Sequence, residues 1–233
     1  MAGEPYIRFD KVEVAYSDLV AGLRGATFSI DRGEFVFFVG QTGSGKSTLL
    51  KVISRQVAHT SGSAMLAGRD LSAVTPEEVP HLRRQMGIVP QDFGLLPNKN
   101  VWENVGYALR ATGKGRKDVR KTVPAILERV NILHRADAFP RELSQGEQQR
   151  VAIGRALIHN PPLLLADELT ANLDPSHTRE IMDLLLELNL RGTTILVATH
   201  DMAAVEHAQQ RIISLEFGSI VDDRKPQEQG ADA

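Results

Sequence analysis

The chain has 233 residues, a hydrophobic fraction of 42%, a charged fraction of 24% and a formal net charge of −2. This is the composition of an ordinary globular protein that is long enough to bury a substantial core. The small net charge gives no reason to expect a nucleic-acid partner. The absence of cysteine excludes a disulfide scaffold and thiolate metal sites.

The chain begins with strand signals and continues as an alternation of apolar runs and helical patterns. Residues 6–16 alternate as in a half-buried strand, and a second short strand is predicted over 26–30. Because parallel strands buried on both faces read as continuous apolar runs, we expect an α/β fold with a mostly parallel sheet. The predicted strands of that sheet are Phe35–Val39, Gly87–Val89, Leu163–Ala166, Ile195–Ala198 and Arg211–Leu215.

Helical patterns replace strand signals between the second and third of these runs. They cover 101–110, 116–130 and 145–159, which predicts a helical insert in the sheet. A basic run within the insert, residues 113–121, favours a solvated helix start over contact with nucleic acid. We therefore divide the chain into N-terminal β-strands with the first part of the core, the helical insert, the second part of the core and a polar tail expected to be disordered, with the bounds 1–90, 91–160, 161–221 and 222–233.

No apolar run approaches the length needed to cross a bilayer. Glu4, Arg8 and Asp10 occupy the region where a signal peptide needs an apolar segment. We therefore expect a soluble, cytoplasmic protein, which would contact a membrane only through a partner.

A glycine-rich loop follows the first core strand and matches G-x-x-x-x-G-K-[ST]. The glycines let backbone N–H groups converge on phosphate oxygens, and the following helix N-terminus adds partial positive charge. Lys46 would reach the β- and γ-phosphates, and Ser47 would place its hydroxyl on Mg²⁺. The alternative, a glycine-rich turn with a chance lysine, is disfavoured by the strand before and the helix pattern after. The predicted phosphate-binding residues are Gly40, Thr42, Gly43, Ser44, Gly45, Lys46, Ser47 and Thr48.

Two carboxylates end the apolar strand that begins at Leu163. In open parallel sheets, ligands bind beyond the carboxyl ends of the strands, so both acids are expected in the same crevice as the loop. Asp167 would hold Mg²⁺ directly or through water. Glu168 would orient and polarise the attacking water. By themselves, acids at a strand end are equally compatible with an exposed loop start.

A third element, Leu143-Ser144-Gln145-Gly146-Glu147, opens an amphipathic helix. Ser144 and Glu147 form a capping-box pattern, which needs no ligand. Alternatively, this helix N-terminus binds a γ-phosphate, with Gly146 allowing close approach. Because the glycine-rich loop already serves the phosphates of its own nucleotide, a second phosphate-seeking helix start suggests action in trans across a symmetric dimer.

The order and spacing of these motifs resemble the ABC ATPase family over nearly the whole chain. The matching elements are GQTGSGKST, Gln91, LSQGEQQR, LLLADE, Asn172-Leu173-Asp174 and Thr199-His200. The resemblance implies a P-loop NTPase fold with an N-terminal antiparallel β subdomain and a helical signature subdomain. It further implies hydrolysis of ATP with Mg²⁺ and a homodimer that forms on ATP binding.

Individual roles also follow from the resemblance. Tyr16 would stack on adenine, and Gln91 would sense the γ-phosphate and Mg²⁺. His200 would contact the γ-phosphate and position Glu168, and Asp174 would line the dimer seam. The signature residues that would act on the opposite subunit's ATP are Ser144, Gln145, Gly146 and Glu147. Without the resemblance, Tyr16 reads as a strand residue, Gln91 as a turn residue and His200 as a structural histidine.

The chain departs from the family pattern in two places. The signature usually reads LSGGQ and here reads LSQGE, and we assign Glu147 a capping role because its charge would repel a γ-phosphate. After Glu168 the family usually has Pro-Thr-Gly, whereas this chain has Leu169-Thr170-Ala171. These changes put the hydrolysis rate in doubt and leave the class unchanged, since Lys46, Asp167, Glu168 and His200 are present.

The segment QDFGLLPNKNVWENV after Pro90 is more discriminating. It resembles the FtsE group of cell-division ATP-binding proteins, which implies an FtsX-like polytopic membrane partner and signals to peptidoglycan hydrolases. An apolar cluster here would be the docking groove for that partner, or would simply pack the core of the insert. Its members are Phe93, Leu95, Leu96 and Trp102.

Other functions remain open from the sequence. The chain could be the ATPase subunit of a transporter that exports lipoprotein, lipid or drug. A soluble ABC machine on nucleic acid would have tandem cassettes or long coiled-coil inserts, and a P-loop kinase would lack the signature at Ser144.

Overall fold

The computed structural model describes residues 4–17, 20–170 and 173–226. Its centre is a six-stranded sheet with the strand order β10-β9-β3-β8-β7-β6. All neighbouring strands in it are parallel except β9 and β10, which pair as an antiparallel hairpin at one edge. Its strands are β3 (Phe35–Val39), β6 (Met86–Val89), β7 (Leu163–Asp167), β8 (Thr194–Thr199), β9 (Arg211–Glu216) and β10 (Ser219–Arg224).

A separate antiparallel sheet forms the N-terminal subdomain, with the order β2-β1-β4-β5. Its strands are β1 (Ile7–Ser17), β2 (Val20–Ile30), β4 (Ser61–Leu66) and β5 (Arg69–Asp70). The predicted α/β fold with a mostly parallel core and an N-terminal antiparallel subdomain is confirmed. The second strand is longer than the predicted 26–30, since it pairs with β1 along its whole length.

Helices surround the core sheet, and three of them form the predicted insert. The helices are α1 (Lys46–Ile53), α2 (Val79–Arg83), α3 (Val101–Ala111), α4 (Arg116–Arg129), α5 (Gln145–Leu157), α6 (Pro175–Leu190) and α7 (Met202–Ala208). No strand occurs between residues 91 and 160, all of which the structure describes. Within the described parts of the chain, no helix combines the length and apolar character needed to cross a membrane.

The central strands of the core sheet are apolar because each face of the sheet packs against a different hydrophobic core. Phe37, Leu164 and Val197 belong to a core shared with the helical insert, α6 and α7. Their neighbours Phe38 and Leu165 point the other way, into a core shared with the N-terminal sheet and α1. Successive strand residues point to opposite faces, so a strand between two cores has no polar face to show.

The predicted tail begins too early. Residues 222–224 belong to β10, where Asp222, Asp223 and Arg224 pair with β9. Asp223 is held there by an ion pair with the buried Arg211, which also contacts Glu34. This polar strand lies at the sheet edge, where charged side chains remain in contact with solvent, and its composition therefore gave no apolar signal. Residues 227–233 lie outside the described part of the chain.

Candidate active site

The carboxyl ends of four neighbouring parallel strands carry most of the predicted site. β3 leads into the glycine-rich loop, β6 into Gln91, β7 into Asp167 and Glu168, and β8 into His200. The register keeps these ends level, since Val39 pairs with Thr199 and Asp167 with Ala198. Residues that are distant in sequence therefore meet at the carboxyl end of the sheet.

The glycine-rich loop has the backbone geometry that its glycines permit. Gly43 and Gly45 have φ angles of 82° and 105°, in the region that side chains disfavour. A Cβ on Gly40 would lie 2.3 Å from the Leu215 carbonyl oxygen, and one on Gly45 would lie 2.5 Å from that of Gly22. Only glycine fits at these two positions without displacing β9 or β2.

Lys46 and Tyr16 both lie against the glycine-rich loop. Lys46 is buried, and its Nζ donates to the carbonyl oxygens of Gly40 at 2.7 Å and Gln41 at 3.1 Å. Tyr16 reaches the same place from β1, where its hydroxyl lies 3.1 Å from Oγ1 of Thr48. Tyr16 and the loop line a cleft of about 220 Å³, and the Tyr16 ring is half-exposed beside it.

Glu168 stands between a lysine and a histidine. Its Oε1 lies 3.5 Å from Lys46 Nζ, and its Oε2 lies 2.8 Å from Nδ1 of His200. The backbone of Glu168 adopts φ 50°, which is unusual for a residue with a Cβ, and its N–H donates to the Ala198 carbonyl. Neighbouring groups thus hold this half-buried carboxylate in place. Strain of this kind at a non-glycine residue is common at functional sites.

Asp167 is hydrogen-bonded to Ser47 at the same carboxyl end of the sheet. The Ser47 hydroxyl donates to Oδ1 of Asp167 at 2.9 Å. Burial raises the pKa of the Asp167 carboxyl, while the Ser47 hydrogen bond and the charges of Lys51 and Lys46 partly oppose that rise. Two hard oxygen donors side by side are the ligand type that Mg²⁺ prefers. Within the described residues, no group of three or more His, Cys, Asp or Glu side chains is arranged around a metal position.

No hydrogen bond or ion pair among the described residues joins Gln91 or the signature residues to this cluster. Gln91 is exposed and follows β6 at the same carboxyl end of the sheet. No hydrogen bond between described residues joins it to Ser47 or Asp167. No hydrogen bond or ion pair in the described ranges joins Ser144 to Lys46 or Glu168. Gly146 lies instead beside Leu173 and His177, near Asp174.

Glu147 is occupied in capping its helix. It accepts from the backbone N–H of Ser144 at 2.8 Å, while the Ser144 hydroxyl accepts from the N–H of Glu147. Arg135 Nε lies 3.3 Å from the same carboxylate. Burial alone would raise the pKa of Glu147, but the Ser144 hydrogen bonds and the Arg135 charge bring the pKa below its ordinary value. Gln145 is exposed one residue after Ser144, on the first turn of α5.

Asp174 caps the helix that follows it. Its carboxylate accepts from Ser176 and His177, and these hydrogen bonds lower the pKa of Asp174 far below its usual value. Asp174 is exposed, as a residue at a subunit seam would be in a single subunit. Ala171 and Asn172, two residues of the motifs quoted above, lie outside the described part of the chain.

The sequence did not predict a role for two residues that hold the segment after Gln91. Asn104 is fully buried and binds four backbone groups of the segment 96–100. Arg155 donates to the carbonyl oxygens of Phe93 and Gly94. A signal for Asn104 existed, because it is a polar residue on the apolar face formed by Val101 and Val105. Arg155 gave none, since a single arginine late in a helix is ordinary.

The Asp167 geometry predicts a gain in stability when its charge is removed. A carboxyl whose pKa is higher in the folded than in the unfolded chain costs stability at neutral pH, because its ionised form is less favourable in the folded protein than in the unfolded chain. Asp167→Asn keeps an acceptor for Ser47 and removes the buried charge. We expect its thermal midpoint at pH 7.5 to equal or exceed that of the unsubstituted protein, with the difference shrinking as the pH falls. A clearly lower midpoint at pH 7.5 would contradict this account.

Comparison with known proteins identifies the family of the chain. Residues 23–171 match the family model described as ABC transporter. The cell division ATP-binding protein FtsE of Streptococcus pneumoniae is 44% identical over 217 residues, which are 93% of this chain and 94% of that protein. A dimeric bacterial ABC transporter cassette superposes with a TM-score of 0.88 at 33% identity and covers 95% of this chain and 99% of its own.

The same cassette, in a post-hydrolysis dimer bound to ADP and Pi, superposes with a TM-score of 0.87 at 33% identity, with the same coverage. The family match covers more than half of the chain, and the identity to the cell-division relative extends over nearly all of it. The chain therefore belongs to the ABC transporter ATP-binding family and, within it, to the FtsE group.

Proposed function

We propose that the chain hydrolyses ATP as the peripheral subunit of a membrane complex acting in bacterial cell division, on the cytoplasmic face. The observation that carries the proposal is the placement of Glu168 between Lys46 and His200 beside the glycine-rich loop. Membership of the family makes the chain an ATPase that converts ATP and water to ADP and phosphate. The cell-division role is supported by relatives that bear that name.

The loop and Tyr16 are the proposed nucleotide site. The backbone N–H groups from Gly40 to Thr48 and the Lys46 ammonium would bind the phosphates, and the half-exposed ring of Tyr16 would stack on adenine. Ser47 and Asp167, already hydrogen-bonded to one another, would hold Mg²⁺ with Gln91. When bound, this cation neutralises phosphate charge; the donor set of hydroxyl, carboxylate and amide oxygens fits it.

Glu168 is the proposed general base. Its carboxylate would accept a hydrogen bond from water and take a proton as the water oxygen bonds to the γ-phosphorus, while the bond from that phosphorus to the bridging oxygen breaks and ADP leaves. His200 holds one carboxylate oxygen and Lys46 approaches the other, so the side chain loses little freedom when it acts. The exposed imidazole of His200 would also contact the γ-phosphate.

The signature residues are proposed to act across a homodimer. The N-terminus of α5 has exposed Ser144 and Gln145 and no bond to the loop within its own subunit, among the residues described. Ser144 and Gly146 would therefore contact the ATP of the opposite subunit, with Glu147 as the cap and Asp174 at the seam. Solved relatives that form dimers support this arrangement.

A groove beside the segment 93–100 is the proposed docking site for an FtsX-like membrane protein. It measures about 430 Å³ and includes Leu96, Ile88 and the half-exposed Tyr107. Phe93, Leu95 and Trp102, which the sequence also suggested for docking, do not line this groove; they are half-buried and pack against the core of the insert. An amphipathic cytoplasmic helix of the partner fits a groove of this character.

The alternative is an ATPase subunit of a transporter for lipoprotein, lipid or drug. The site chemistry would be the same, because transport is determined by the membrane partner. Purification from native membranes separates the two: a partner with an extracytoplasmic domain and no substrate cavity supports the cell-division role.

Replacing the base is expected to stall the cycle. Glu168→Gln keeps size and hydrogen bonding and removes the proton acceptor, so turnover should fall by about 10²–10⁴-fold. ATP should then hold the variant as a stable dimer, as measured by light scattering coupled to size exclusion. Free turnover in this variant would exclude the proposed role of Glu168, and a variant that stays monomeric when saturated with ATP would contradict the proposed ATP-bound dimer.

Action in trans predicts rescue between two inactive variants. Ser144→Arg blocks the signature and Lys46→Ala blocks the loop, so each should be inactive alone. In their mixed dimer, the loop of the first faces the intact signature of the second, which restores one site of two. With half of the dimers mixed, turnover should recover to about a quarter of the original. No recovery, although mixed dimers form, would show that both elements act on the same subunit's ATP.

The groove is tested by a charge placed in it. Tyr107→Glu should reduce the amount of bound membrane protein by about tenfold, since it replaces an aromatic ring that lines the groove with a carboxylate whose burial is costly. Turnover of the isolated subunit should not change. Leu190→Glu is the control, because Leu190 is 87% exposed on α6, away from the groove, against 54% for Tyr107. Equal recovery of the partner by both variants would exclude this docking site.

A further inference from the structure

The turn that follows Gln91 is held by one side chain from the signature helix. Arg155, near the end of α5, donates through its two terminal nitrogens to the Gly94 carbonyl at 2.5 Å and the Phe93 carbonyl at 2.6 Å. Burial lowers the pKa of Arg155 and Asp92 partly opposes this, but an arginine remains charged in proteins. Two charge-assisted bonds from a planar group fix both position and direction.

The turn itself is strained and needs such support. Phe93 has φ 59°, a left-handed conformation that non-glycine residues rarely adopt, and Gly94 follows at φ 54°. The Phe93 N–H donates to the Pro90 carbonyl, so the turn encloses Gln91 and Asp92. Because Gln91 lies within this turn, a shift of the Phe93 and Gly94 carbonyls should also move Gln91, which is only two residues away from Phe93.

The rest of the segment is held independently. Asn104 Nδ2 donates to the carbonyls of Leu96, Lys99 and Asn100, and its Oδ1 accepts from the Leu96 N–H. These contacts come from α3, at the other side of Leu95. Arg155 is thus the link from α5 to the turn at 90–94, whereas Asn104 serves the loop at 96–100.

The same helix carries the signature at its other end. Ser144 caps α5, and Arg155 lies eleven residues later, about 16 Å along a rigid helix. Between them, the buried Arg150 binds the Val130 carbonyl and Glu180 and makes no hydrogen bond to the turn among the described residues. A displacement of the Ser144 end would therefore reach the turn through Arg155.

We propose that Arg155 is a positioning residue that couples the signature helix to Gln91, so that Gln91 takes its catalytic place only when α5 is docked. This rests on the proposed role of Gln91. Arg155 and Gly94 also line the groove proposed for the membrane partner, together with Leu96. A segment seated there would press on the same turn, and partner and signature would act on Gln91 through one arginine.

The test is a double-mutant cycle with a matched control. Arg155→Met removes both hydrogen bonds and keeps an apolar stem, and it should lower kcat by about tenfold or more with little change in KM for ATP, since the loop and Tyr16 are untouched. Arg155→Lys keeps the positive charge but not the planar guanidinium that donates two hydrogen bonds, so it should recover part of the lost kcat. In the Gln91→Ala background, Arg155→Met should have almost no further effect on kcat.

Hydrogen–deuterium exchange supplies a readout independent of turnover. Arg155→Met should speed exchange of the amides in 91–95, while the amides of 96–100, held by Asn104, keep their rate. Arg150→Met is the control: it should lower stability and leave exchange in 91–95 unchanged, and its effect on kcat should add to that of Gln91→Ala.

The outcomes separate the two proposals. If Gln91→Ala keeps full kcat, the proposed role of Gln91 is wrong and the inference is wrong with it. If Gln91→Ala lowers kcat and Arg155→Met adds an independent loss, only the inference is wrong. It is also overturned if exchange in 91–95 is unchanged, or if Arg155→Lys behaves like Arg155→Met at equal thermal stability.

Discussion

The parallel pairing of β3, β8, β7 and β6 is the constraint on which the site depends. The register sets Val39 opposite Thr199, Asp167 opposite Ala198 and Val89 opposite Ala166. Each strand therefore ends at nearly the same height, and the residue after each strand enters a common crevice. The glycine-rich loop, the acidic pair and His200 meet there although as many as 160 residues of chain separate Gly40 from His200.

The sheet also separates two hydrophobic cores that serve different purposes. One face packs with α1 and the N-terminal sheet, which carries Tyr16 to the loop. The other packs with the helical insert, which carries Ser144 at one end of α5 and Arg155 at the other. The proposed nucleotide site and the proposed partner groove thus depend on elements that pack against opposite faces of one sheet. The proposed coupling between them runs through the hydrogen bonds of Arg155 to the turn at 90–94.

Sequence reasoning worked best where one physical signal dominated. Continuous apolar runs identified β3, β6, β7, β8 and β9, because a strand that is buried on both faces needs apolar side chains along most of its length. It missed β4, β5 and β10, whose residues include Ser61, Gly62 and Asp222, since strands exposed on one face or at an edge do not need apolar side chains. For the same reason the tail was predicted to begin within β10.

The sequence by itself determined the class of chemistry, because a glycine-rich loop, two acids after an apolar strand and a capped signature helix each carry their own chemical requirement. The tertiary structure alone decided which of these groups touch. Glu168 meets Lys46 and His200, and Glu147 turns to Ser144 and Arg135. Such contacts join positions whose separation along the chain carries no periodic signal, so only the packed fold can specify them.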